Sequence, residues 1–161
     1  AIHAHRAMHA AFDRSPDQGI DMLVLADFAK LIGVDQIHIG TGIGKLEGNI
    51  KHIKEIQEEM ENKKVKETKD RLEQDWKNIK PVLGVSSGGL YPGHIPFLIK
   101  NLGKDLVIQM GGGIHGHPDG TRAGAMAARQ AVDAVMNHQS LEEYSRNRKE
   151  LRKALVFWKR K

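Results

Sequence analysis

The 161-residue chain has no cysteine, which excludes disulfides and thiolate metal sites and fits a reducing cytoplasm. No apolar run approaches the roughly 20 residues of a membrane-spanning helix. With no signal-peptide pattern either, a cytoplasmic protein is expected. Aromatic residues are scarce, eight in all. They are not interleaved with the basic residues, so a base-stacking nucleic-acid surface is not expected despite the net charge of +5 and pI near 9.5. Much of the positive excess lies in residues 146–161, with eight Lys or Arg against one acid, Glu150. That pattern reads as the solvated face of a terminal helix. The chain also does not open on Met. It begins Ala1-Ile2-His3, already inside a strand pattern, so it is expected to be part of a longer chain or a processed product.

What is present centres on one stretch, Gln36-Ile37-His38-Ile39-Gly40-Thr41-Gly42-Ile43-Gly44-Lys45-Leu46-Glu47-Gly48. A short β-branched run breaks into three glycines within five residues and then delivers a lysine. Glycines at this spacing uncover backbone N–H groups and let a loop change shape. A strand that empties into such a loop usually presents a ligand site at its C-terminal end. His38 is the last polar side chain on the strand, and Lys45 follows on the loop. The layout suits an anionic substrate, with one fixed contact and one cation that can close over it.

The remaining pattern alternates strands and helices. Residues 2–5 have period two and place His3 and His5 on one face of a strand. Residues 22–32 have helical spacing and end at Gly33. The strand at 34–39 precedes a Lys- and Glu-rich helix predicted over 49–69, its charged face solvated. A third strand at 81–85 closes on Ser86-Ser87-Gly88-Gly89, and a short helix follows at 94–102. A fourth strand at 106–110 closes on Gly111-Gly112-Gly113. A small-residue helix is predicted at 122–138, and one charged helix over 141–161. Four βα units in this order argue for a parallel sheet with right-handed crossovers.

A parallel sheet gathers its strand ends on one rim. There the first strand brings His5 and Arg6, the second His38 and Lys45, the third Ser87-Gly88-Gly89, and the fourth Gln109 with Gly111 and Gly112. Two Gly-Gly ends near helix starts suit an anion held by backbone amides. Arg6 and His38 form a second cationic patch, so a substrate with an anion at each end is expected.

Four motifs occur in order: His3-Ala4-His5-Arg6-Ala7-Met8-His9; His38-Ile39-Gly40-Thr41 with Gly44-Lys45-Leu46-Glu47-Gly48; Ser87-Gly88-Gly89; and Gly111-Gly112-Gly113-Ile114-His115-Gly116-His117-Pro118. Together they resemble the C-terminal half of the large subunit of ribulose-1,5-bisphosphate carboxylase/oxygenase (RuBisCO). The run from His115 through Asp119-Gly120-Thr121-Arg122-Ala123-Gly124-Ala125 is most similar to the archaeal, form III, branch. The resemblance implies an α/β fold: the C-terminal half, strands 5 to 8, of a (β/α)8 TIM barrel over residues 1–140, plus a basic C-terminal helix over 141–161. The N-terminal domain and first barrel half would then lie outside this sequence.

The resemblance also implies roles. His5 is the active-site proton acceptor of the later steps, and Arg6 and His38 bind one substrate phosphate. Ser87 bonds a substrate hydroxyl, and Gly88, Gly89, Gln109, Gly111 and Gly112 line the other phosphate. Lys45 closes over the substrate to stabilise the carboxylated transition state, with Glu47 orienting it. The Mg2+ ligands fall on the family's earlier strands, so no metal ligand is expected in this chain and the segment should be inactive alone. Implied partners are ribulose 1,5-bisphosphate, CO2 and O2, and further copies of the chain in a homodimer or a ring of dimers. A role in salvage of nucleoside-derived ribulose bisphosphate (AMP metabolism) is implied likewise.

Three rivals share some of these residues. His3-x-His5 with His9, His115 and His117 is a pattern of metal-dependent barrel hydrolases, but no strand end supplies the acidic base. A RuBisCO-like enolase or isomerase of a sugar-phosphate-like substrate would commonly depart from the pattern at Lys45 and the phosphate contacts, which are all present. A non-catalytic half-barrel remnant is the third.

Overall fold

The computed structural model describes residues 1–15, 17–43 and 49–159. They divide into two compact units. Among the described residues the first holds residues 1–42 and 49–86 with Asp105–Val107, and the second holds Ile43, Ser87–Lys104 and the chain from Ile108 onward.

The sheet is ordered β1-β2-β5-β6, from strands β1 (His3–Ala4), β2 (Gln36–Gly40), β5 (Leu83–Ser87) and β6 (Leu106–Gln109); the first unit holds β1, β2, residues 83–86 of β5 and residues 106–107 of β6. Pairing is parallel between β1 and β2, His3 opposite Gln36, and between β2 and β5, His38 opposite Val85. Residues 37–40 of β2 are all buried, as expected of a parallel strand covered on both faces. The register shifts between His38 and Gly40, a bulge at the end of the strand where side chains are re-aimed.

Two helices of this unit have well-defined ends. Helix α1 (Ala10–Asp13) is a single turn. In α2 (Met22–Ile32) the Asp21 side chain accepts from the Leu23 N–H, and Gly33 at φ 94° closes the other end on the Ala29 and Lys30 carbonyls. In α3 (Ile50–Glu61) Asn49 accepts from the Lys51 N–H. Predicted to run to residue 69, α3 ends at Glu61, because Asn62 is extended and Val65 joins a small antiparallel ladder, β3 (Lys64–Val65) with β4 (Gln74–Asp75). The excursion folds Arg71 and Trp76 back onto α3. The face of α3 expected to be solvated therefore holds buried Glu55 and Glu59. Arg71 donates to the Glu55 carbonyl at 3.0 Å and to Glu58 at 3.0 Å, and the Trp76 indole N–H donates to Glu59 at 3.0 Å. Lys30, 1% exposed, donates to the Glu59 carbonyl at 2.5 Å and sits 4.4 Å from the centre of a Trp76 ring.

The second unit is helical: α4 (Ile95–Leu102), α5 (Gly112–His115), α6 (Gly120–Met136), α7 (Leu141–Tyr144) and α8 (Lys149–Lys159). Its core joins Ile95, Ala131, Ala134, Leu141 and Leu151. The single helix predicted over 141–161 is instead α7 and α8, separated by a 3-10 turn at Ser145–Asn147 and an extended Arg148. On one continuous helix Leu141 and Leu151 would stand about 15 Å apart along the axis and about 80° apart around it. The break lets both enter one core. The charges of α8 stay outside, Lys153 pairing with Asp119 at 2.8 Å, while Leu151 and Ala154 are buried.

Helix α6 owes its fit to small residues, Ala123, Gly124, Ala127, Ala131 and Ala134 all being buried. A Cβ on Gly124 would lie 2.1 Å from the Ile114 carbonyl oxygen of α5. Helix propensity alone would make Gly124→Ala stabilising by about 1 kcal/mol. The backbone clash should reverse the sign, giving a net loss of about 1–3 kcal/mol in a denaturant titration.

Candidate active site

The site begins with the pairing of β1 and β2. Because His3 is in register with Gln36, the period-two spacing of His3 and His5 meets the period-two spacing of Gln36 and His38 on one face. His3 Nδ1 lies 2.6 Å from Gln36 Oε1, and His3 Nε2 lies 2.8 Å from His38 Nε2. The His5 ring stands 4.4 Å, centre to centre, from that of His38. Two imidazoles are thus gathered around that of His38, itself 3% exposed.

Arg6 follows directly. A Cβ built on Gly40 would lie 3.5 Å from an Arg6 terminal nitrogen and 2.9 Å from Ile53 Cδ1. Gly40 also has φ 125°, which an L side chain rarely adopts. Glycine at this strand end therefore serves both the turn and the close approach of Ile53, with the guanidinium in van der Waals contact beside it. Burial lowers the Arg6 pKa, opposed by the Asp13 carboxylate.

Burial, together with the positive charges that His5, His3 and Arg6 can carry, pulls the His38 pKa down to about 4. His38 is therefore neutral at pH 7, and an arriving dianion would favour its protonation. The folded chain resists a proton that the unfolded chain accepts below about 6.5. The His38 contribution is fully present above that pH and is lost as pH falls towards 4. Unfolding free energy measured between pH 7 and pH 4.5 should drop by about 2 kcal/mol more in the natural chain than in His38→Gln.

Ala7 N–H donates to His5 Nδ1 at 2.9 Å. A neutral His5 therefore carries its hydrogen on Nε2, and it can take a proton at Nδ1 only by giving up Ala7. His9 bonds locally, with Asp13 at 2.6 Å. His3 does not, since its partners lie 33 and 35 residues away. The histidines held in reserve for a hydrolase are engaged in the second unit: His117 with the Glu150 carbonyl and the Asp119 N–H, and His115 with Thr121. Among the described residues no group of three or more His, Cys, Asp or Glu is placed to hold a metal ion. Imidazoles beside a guanidinium do not fit Mg2+, which seeks oxygen ligands.

The other predicted residues lie in the second unit. Ser87 ends β5, and Gly88 and Gly89 follow at φ 108° and 65°. Gln109 ends β6 and is exposed. Gly111 precedes the single turn of α5, which Gly112 opens. At both Gly111 and Gly112 an added Cβ would meet nothing within 4 Å, so the backbone there borders open space. Lys45 and Glu47 lie outside the described residues. Gln36 escaped the sequence reading as a site residue; its spacing of two from His38, matching that of His3 and His5, was the available signal.

The family model for the ribulose bisphosphate carboxylase large chain, catalytic domain, matches residues 1–158. The chain belongs to that family. It is 54% identical over 160 residues to the ribulose bisphosphate carboxylase of Methanocaldococcus jannaschii, covering 98% of this chain and 38% of that one. The octameric RuBisCO of Pyrococcus horikoshii superposes with a TM-score of 0.86 at 52% identity, over 97% of this chain and 35% of that one. The dimeric archaeal RuBisCO of Hyperthermus butylicus gives a TM-score of 0.91 at 45% identity, over 98% and 37%. The α/β architecture with a parallel sheet is therefore that of RuBisCO, and the chain spans just over a third of the length of the relatives it matches. Among the described residues no helix is long and apolar enough to cross a membrane.

Proposed function

We propose that this segment supplies substrate-binding residues and the loop lysine to a carboxylase that converts ribulose 1,5-bisphosphate and CO2 to 3-phosphoglycerate, with O2 as competing gas. The observation that carries the reading is the close set of Arg6, His38 and His5 at the end of β1 and β2. A guanidinium and an imidazole that gains its charge when an anion arrives suit a phosphate dianion. Ser87, Gly88, Gly89, Gln109, Gly111 and Gly112 take the hydroxyl and the second phosphate, and His5 the proton of the later steps. Lys45, oriented by Glu47, stabilises the carboxylated transition state.

The activity belongs to a longer chain, of which residues 1–140 form the C-terminal barrel half and 141–161 the basic C-terminal segment. Mg2+ is held by residues outside this sequence, and the segment alone is inactive. The working unit is a cytoplasmic homodimer or ring of dimers, as the dimeric and octameric relatives suggest, and it consumes ribulose bisphosphate derived from nucleosides.

The test is 3-phosphoglycerate formation from ribulose 1,5-bisphosphate, CO2 and Mg2+ by the full-length chain. Product at a rate above a Mg2+-free control supports the reading. No product, with ribulose bisphosphate still enolised, moves the assignment to a non-carboxylating relative, and no turnover of any kind to a remnant.

A further inference from the structure

Asp27 plays no part in the functional reading above. It lies on α2 four residues before Leu31, so the two side chains share one face of the helix. With residues 74–79, from β4 and the turn after it, they line a cavity of about 530 Å3. The turn is closed by the Ile79 N–H on the Trp76 carbonyl at 2.9 Å, with Lys77 in the left-handed region at φ 50°. Leu31, Trp76 and Ile79 make part of the wall apolar, and Gln74 and Asn78 add amides.

Two carboxyl groups line this cavity, and they differ in what they bond. Asp75 is engaged: its Oδ2 lies 2.8 Å from Lys77 Nζ and 3.2 Å from Lys64 Nζ, and its Oδ1 accepts from the Lys77 N–H at 3.0 Å. Asp27 Oδ1 is buried with no hydrogen-bond partner among the described residues. A buried acceptor left open keeps its full desolvation cost. The residue as a whole is only partly buried, so its carboxyl can be reached from the cavity. Burial and Glu59 raise the Asp27 pKa to about 7, with Lys30 and Arg71 opposing. The group thus stands between neutral and ionised near pH 7, and a cation brought to it would hold it as the carboxylate.

We propose that this cavity binds a small organic cation, a primary ammonium on a short apolar stem, with the Asp27 carboxylate taking the charge and Leu31, Trp76 and Ile79 the stem. Gln74 and Asn78 offer further acceptors for the ammonium hydrogens. A metal ion suits the set less well, since among the described residues no group of three or more His, Cys, Asp or Glu is placed to hold one. Binding selects the ionised form of Asp27, so affinity rises with pH through about 7 and levels off above it. The charged groups that set this dependence are Lys30 on the same helix, Glu59 on α3, Arg71 between β3 and β4, and Asp75 and Lys77 at the cavity.

The test titrates n-butylammonium into the full-length chain, followed by heat and by the Trp76 indole 15N–1H signal, which is assigned by its loss in Trp76→Phe. Butylammonium should shift that signal and bind about tenfold more tightly at pH 8 than at pH 6, the ratio of ionised Asp27 at a pKa of about 7. At pH 8 Asp27→Asn should weaken binding about 10–100-fold, the scale of one hydrogen bond to a charged group. 1-Butanol, which keeps the stem without the charge, should bind the natural chain as weakly. Nα-acetyl-lysine amide presents the same ammonium as a protein side chain does. Tighter binding of this probe supports the site with a lysine of another chain as its ligand, and tighter binding of butylammonium supports it with a free amine. No shift of the Trp76 signal at about 50 mM butylammonium overturns the proposal, as does equal affinity for butanol. Equal affinity for butylammonium at pH 6 and pH 8 overturns it too, and this comparison decides even if Asp27→Asn fails to fold. None of these readouts depends on phosphoglycerate formation, so a failed carboxylase reading leaves the proposal standing.

Discussion

Lys45→Met in the full-length chain should reduce phosphoglycerate formation from ribulose 1,5-bisphosphate by at least about 10²–10³-fold while substrate still binds. Gly40 and Gly42 have φ of 125° and 72°, so the chain leaves β2 through conformations that side-chain-bearing residues rarely adopt. Lys45 follows three residues later, flanked by Gly44 and Gly48. In the proposed reaction it is the cation that meets the charge developing on the carboxylated intermediate. Methionine keeps the length and apolar volume of the stem and removes only the ammonium. A group that stabilises charge only in the transition state lowers kcat when lost and leaves KM little changed. Removing one such donor typically costs about 10²–10³ in rate. Unchanged kcat in the variant would remove Lys45 from the chemistry.

Arg71→Met should have the largest effect on stability, about 3–5 kcal/mol in a urea titration at pH 7, because it leaves buried carboxylates without their cation. Arg71 donates to the Glu55 carbonyl and to Glu58, and its Nε stands 3.7 Å from Glu59. The Glu59 side chain is 2% exposed, and burial already raises its pKa, with Arg71 the first of the groups opposing that rise. Asp27 is held up at about 7 by burial and by Glu59, with Lys30 and Arg71 opposing. Taking Arg71 away pushes both carboxyls further up. A carboxyl with a raised folded pKa contributes most when protonated and loses that contribution as pH rises through the folded value. The penalty should therefore shrink at pH 5, where Glu59 and Asp27 more readily take a proton. Adding Glu59→Gln to Arg71→Met should recover part of the loss at pH 7. Equal losses at pH 5 and pH 7 would show that Arg71 acts by packing alone.

The alternation of strands and helices was legible in the chain because each pattern is local. Apolar residues at helical spacing and a glycine able to adopt φ 94° mark α2 without any long-range contact. The four motifs, in order, were enough to place the chain in the RuBisCO family. The face of α3 was not legible in the same way. Lys, Glu and Gln at helical period look the same whether they meet water or a buried arginine, and Arg71 and Trp76 reach α3 only after β3 and β4 turn the chain back. The break between α7 and α8 was hidden for a related reason. Local propensity permits one helix there, and only the shared core of Leu141 and Leu151 with Ile95, Ala131 and Ala134 requires two.

For the site, the sequence by itself determined the residue types: histidines and an arginine after the first strand, a histidine on the second, a lysine in a glycine loop and two Gly-Gly strand ends. These are short-range signals, each written in consecutive residues. The tertiary structure alone decided what those residues do to one another. The register of β1 on β2 turned two separate period-two pairs into the Gln36–His3–His38 chain. Burial then made His38 neutral at pH 7. Both outcomes depend on groups brought together from more than thirty positions apart in the chain, and hydrogen-bond direction and desolvation exist only once that distance has been closed.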